Sequence, residues 1–141
     1  MPYTVSEQKG GTEIRAESSS LHDVFLDGAR ALFSLMADAE HLKDDQRVKI
    51  VVDAKDIPSL FAAWLKELAE RSEQYGIIFG ECSIASIQKV NDSQFLLTGA
   101  AYGETFDPAK HTRKKTITTV THPTHEEYPD GHGAICSCIV E

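Results

Sequence analysis

Two segments with apolar residues at helical spacing constrain this chain more than any other feature. In the first, Leu21, Val24, Phe25, Ala29, Leu32, Phe33, Leu35 and Met36 fall on one side, opposite His22, Asp27, Arg30 and Ser34. In the second, Leu60, Phe61, Trp64, Leu65 and Leu68 do the same. Each stripe has to be buried, and two of them in 141 residues require a sheet to pack on. Ser20, with Asp23 three places on, forms a capping-box signal for the first helix. Asp56 caps the second, Pro58 is tolerated in its first turn, and Gly76 is placed to end it.

The remaining segments read as strands. Pro2 to Ser6 and Thr12 to Glu17 flank a Gly10-Gly11 turn, and Arg47 to Asp53 alternates after a polar loop, Asp38 to Gln46. Ile77 to Val90 and Gln94 to Tyr102 flank the turn triplet Asn91-Asp92-Ser93; Thr116 to His122 and Ala134 to Val140 complete the set. The order ββαβα followed by four strands predicts an α+β fold in a single domain, residues 1–141, with two amphipathic helices packed on one face of a largely antiparallel β-sheet.

Fourteen Lys and Arg against 22 Asp and Glu leave a formal charge of −8, which opposes non-specific binding to nucleic acid. The N-terminus lacks a basic n-region and an apolar h-region, and no apolar run reaches bilayer length, so no membrane association and a cytoplasmic location are expected. The three cysteines, an odd count without a secretory signal, are read as reduced thiols.

No P-loop, dinucleotide fingerprint, nucleophile elbow or HExxH is present. His122, His125, His132, Cys136 and Cys138 gather potential metal ligands, but their spacing matches no standard zinc module, and packed thiols beside a solvated histidine loop account for them. Glu104 to Lys115 sets two carboxylates before Lys110, His111, Arg113, Lys114 and Lys115. This local basic run is suited to gripping phosphate or an acidic partner, or to a solvated loop leading into an edge strand. Glu7, Glu13 and Glu141 form an acidic group for a hard cation if the first and last strands are neighbours.

The segment GETFDPAKHTRKKTITTVTH, Gly103 to His122, resembles the Gly-Glu, Asp-Pro, Lys-His and Val-Thr pattern of the archease family, the small proteins that assist RtcB-type RNA-splicing ligases. LHDVFLDGARALFSLMAD and DIPSLFAAWLKELAE followed by YGIIFGE resemble that family's two helices and the strand after them, so the resemblance spans essentially the whole chain. It implies a compact α+β protein that is not itself an enzyme. Such a protein speeds guanylylation of the ligase and permits its repeated turnover in tRNA splicing or RNA repair, with RNA contacted through the ligase. It also implies a partner-facing or site-supporting surface at Glu104, Asp107, Lys110 and His111.

The family's His-Thr-Ala-Asp-Ile motif supplies an Asp to a divalent cation, calcium or magnesium, and the ungapped match puts Gly11 there, with Glu13 the nearest carboxylate. Cys138-Ile139-Val140-Glu141 is similar to the family's C-terminal ending and sets Glu141 in the second acidic place, so Glu13 and Glu141 are the metal-ligand candidates. The family's next residue, whose carbonyl completes that site, has no counterpart here, and the usual Tyr-His after Val-Thr is His122-Pro123. Two alternatives stand beside this reading. One is a diverged, chaperone-like binding protein of the same fold without cation-dependent activity. The other is a hydrolase or isomerase with His111 or His122 as general base.

Overall fold

The structure, a computed structural model, describes residues 3–38 and 42–141. Its order is β1 (Tyr3–Gln8), β2 (Gly11–Ser18), α1 (Leu21–Met36), β3 (Gln46–Ala54), α2 (Ile57–Tyr75), β4 (Ile77–Asn91), β5 (Gln94–Thr105), β6 (Val120–Glu127) and β7 (Ala134–Val140). The fold is α+β with antiparallel pairing between every pair of neighbouring strands. Pro2 of the expected first strand and residues 39–41 of the expected loop lie outside the described residues.

Both helices start and stop where their caps stand. The Asp23 N–H donates to Ser20 Oγ (3.2 Å) and the Ser59 N–H to Asp56 Oδ1 (2.9 Å), satisfying donors that a helix N-terminus leaves free. Gly76 ends α2 in the left-handed conformation, φ 62°.

The sheet arrangement differs from the expectation. Instead of one sheet with helices on one face there are two, ordered β1-β2-β7-β6 and β3-β5-β4, and each helix touches both. A helix held between two sheets must bury more than a stripe. Accordingly Val24, Phe25, Gly28, Ala29, Ala31, Leu32, Phe33 and Met36 of α1 are all buried. Gly28 is required where the helices meet, because a Cβ there would lie 2.6 Å from the Phe61 ring. The same crossing carries an edge-to-face Phe25–Phe61 pair (5.2 Å) and a hydrogen bond donated by Trp64 Nε1 to the Phe25 carbonyl (3.0 Å).

One strand is displaced. The expected strand Thr116 to His122 is replaced by β6, Val120–Glu127, whose pairing with β7 shifts register between Thr121 and Thr124. His122 takes φ 53° and Pro123 follows it inside that irregularity, so a proline that would interrupt a regular ladder is absorbed by a bulge in an edge strand.

Candidate functional site

Beyond β5 the chain turns back under Phe106, whose N–H donates to the Gly76 carbonyl (2.8 Å). The Asp107 carbonyl accepts from the N–H groups of Lys110 (2.9 Å) and His111 (2.8 Å), and Asp107 Oδ1 accepts from the Ala109 N–H (3.0 Å). This turn swings His111 into the protein, where it is 8% exposed beside Glu104 at 7%. The Asp107 N–H donates to His111 Nδ1 (2.9 Å), and His111 Nε2 stands 2.9 Å from Glu104 Oε1. Since Nδ1 accepts, the ring proton sits on Nε2 and is donated to the carboxylate. Lys110 Nζ takes the other oxygen, Oε2, at 3.0 Å. The hydrogen bonds from His111 and Lys110 hold the Glu104 carboxyl below the usual range. Phe106 backs the arrangement, its ring 5.9 Å from that of His111, with the Arg113 guanidinium 4.3 Å over the Phe106 ring and paired to Glu73 at 2.8 Å.

The basic run that follows is an exposed segment leading towards the edge strand β6. α1 has no basic residue in its last turn, so its C-terminal carbonyls need donors from elsewhere. Lys114 supplies two: its N–H donates to the Met36 carbonyl (2.8 Å) and its Nζ to the Ser34 carbonyl (3.1 Å). Ala37 and Arg113 form a β-bridge, and the Asp38 N–H donates to the Thr112 carbonyl (3.0 Å). Lys115 Nζ reaches Thr12 Oγ1 (3.1 Å) and Glu7 Oε1 (3.4 Å), tying the β1–β2 hairpin to the same segment.

At the end of the four-stranded sheet Glu13 lies opposite Ser6 of β1 and Ile139 of β7. Thr12 and Ile14, its neighbours on β2, are buried, so Glu13 faces the side away from the core. Glu141 follows the end of β7 and is exposed. The Glu141 carbonyl accepts from the N–H groups of Thr118 (2.8 Å) and Thr119 (3.1 Å) and from Thr118 Oγ1 (3.2 Å). Sequence pattern alone did not single out Thr118 and Thr119 as partners of residue 141.

A profile of the Archease protein family matches residues 3–141. The chain belongs to the archease family. It is 32% identical over 120 residues to the protein archease of Pyrococcus furiosus, covering 84% of this chain and 83% of that one. It is 27% identical over 132 residues to the protein archease of Methanopyrus kandleri, covering 93% of each. The solution structure of Methanobacterium thermoautotrophicum protein 1598 superposes with a TM-score of 0.76 over 99% of this chain and 98% of that one, at 21% identity, a likeness of fold.

The archease resemblance implied a divalent cation with Glu13 and Glu141 as its candidate ligands. Gly11 has φ 144°, and a Cβ there would lie 2.4 Å from the Val140 carbonyl oxygen, so in this backbone the position accepts no side chain. The Glu141 carbonyl is already given to three donors. Calcium takes about 6–8 oxygens and magnesium a near-ideal octahedron. Among the described residues no three His, Cys, Asp or Glu stand close enough to hold a metal. The histidines and cysteines of the C-terminal segment do not converge either. Cys136 and Cys138 are core residues opposite Ala16 and Ile14, their thiols pushed up to about 12 by burial. His122 and His132 are exposed, while His125 lies opposite Cys136 with Nε2 buried and 3.5 Å from Glu127.

Proposed function

We propose that this chain is an accessory protein of an RtcB-type RNA-splicing ligase, promoting guanylylation of the ligase and its repeated turnover in tRNA splicing or RNA repair. The observation that carries this reading is membership of the archease family over residues 3–141. It agrees with the buried histidine–carboxylate pair Glu104–His111, in which both ring nitrogens are engaged within the protein, leaving no lone pair for a general base. With a charge of −8, the chain meets RNA through the ligase. No helix among the described residues is long and apolar enough to cross a membrane, and action in the cytoplasm alongside the ligase is part of the proposal.

Within this role, docking acts without a resident divalent cation. Gly11, which has no room for a side chain, favours that reading. In a multiple-turnover RNA-ligation assay with the ligase of the same organism, adding this protein raises product per ligase several-fold. A competent ligase that gains nothing contradicts the proposal. Saturating calcium or magnesium leaves the melting temperature of the isolated protein unchanged, whereas a bound ion would raise it by mass action.

A further inference from the structure

The two sheets end in four edges, and they are not equally protected. β4 carries three register shifts, and β6 carries one around left-handed His122 and Pro123, both devices that discourage further pairing. β1 is six residues long and its only charged side chain is Glu7. β3 is different. It holds all nine residues in unbroken register with β5, contains neither Pro nor Gly, and among the described residues pairs with β5 alone.

Its outer flank is also open. Beside its second half a concavity of about 310 Å³ lies between Val51, Asp53 and Ala63 of α2. Val51 is 48% and Tyr75 53% exposed. α2 packs on β3, and among the described residues no strand pairs with its other edge.

The sequence of this edge, Gln-Arg-Val-Lys-Ile-Val-Val-Asp-Ala, is complementary to itself when reversed. With two copies antiparallel about a two-fold axis at Ile50, Arg47 of each falls opposite Asp53 of the other, and Val48 opposite Val52. Lys49 falls opposite Val51, so the lysine that would block an edge lays its stem over a valine and meets no like charge. The symmetry supplies the Arg–Asp pairing twice, at the two ends of one isologous contact. We propose that β3 pairs with β3 of a second copy of this chain, joining the two three-stranded sheets into one. This inference is independent of the ligase partnership.

Light scattering on the full chain, diluted from millimolar to micromolar, tests it. The wild type passes from the mass of two chains to that of one. Arg47→Asp and Asp53→Arg each set like charges opposite at both ends and weaken association by about tenfold or more. The double variant regains the wild-type mass, and an equimolar mixture of the two single variants forms a mixed dimer. That recovery also excludes misfolding as the cause of the single-variant losses. A wild type that stays at one chain throughout, or a dimer that neither swap weakens, overturns the proposal. A wild type of one-chain mass whose single swaps nonetheless lower ligase stimulation would assign the edge to a partner's strand instead, and self-pairing would be wrong.

Discussion

Glu104 and the pair Glu13 and Glu141 are all carboxylates near late strands, but the protein treats them in opposite ways. Glu104 is 7% exposed, and each of its oxygens has a partner, one from His111 and one from Lys110. The side chains of Glu13 and Glu141 face outward with no hydrogen-bond partner among the described residues. A buried carboxylate is tolerated only when such partners are supplied, and His111 and Lys110 supply them here. Glu13 and Glu141 require nothing from the fold and remain free for another molecule. Lys110 and Asp107 are exposed on the rim of the Glu104 cluster.

The comparison is broken most severely at His111. His111→Ala leaves the Asp107 amide without its acceptor and Glu104 with one partner fewer, and it costs about 2–3 kcal/mol, read from the midpoint of urea unfolding. A loss near zero would mean that the loop is held by something else. Acid comes next. Because the folded-state pKa of Glu104 is lowered, its contribution is fully present above the ordinary carboxylate value and is lost as pH falls through the lowered one. Glu104→Gln removes that part of the acid limb of the stability curve; superimposable curves for the two proteins would contradict the assignment.

Lys114→Gln removes the charge at the C-terminus of α1 but keeps the backbone hydrogen bond of residue 114. It costs about 1 kcal/mol at low ionic strength, a loss that added salt reduces. The smallest effect on stability belongs to the sheet end, where Glu13→Gln with Glu141→Gln stays within about 0.5 kcal/mol of wild type. The same pair lowers ligase stimulation if those side chains meet the partner. Full stimulation by this variant would move the contact to Asp107 and Lys110.

Element order was legible because caps and periodicity are local: Ser20, Asp56 and Gly76 bound their helices in the sequence as they do in space. The division into two sheets was not, since β2 finds its partner β7 more than a hundred residues away and no local pattern encodes that choice. Gly28 and Ala31 stood outside the expected stripe, yet both are buried on α1, which lies against both sheets. At the candidate site, the resemblance pointed to Glu104, Lys110 and His111 as a group, and they do meet. Their burial was hidden, because it depends on the Asp107 turn that rotates His111 inward. Likewise Lys114 and Lys115 read as solvated charges because the carbonyls of Ser34 and Met36 and the hydroxyl of Thr12 are brought to them only by the fold.

The most direct measurement is the rate at which the ligase of the same organism becomes guanylylated, followed by labelled GTP with and without this protein. A faster approach to the guanylylated form, dependent on the concentration of this chain, is the result predicted for an archease that works by docking. An unchanged rate with a ligase that is competent on its own would contradict the account.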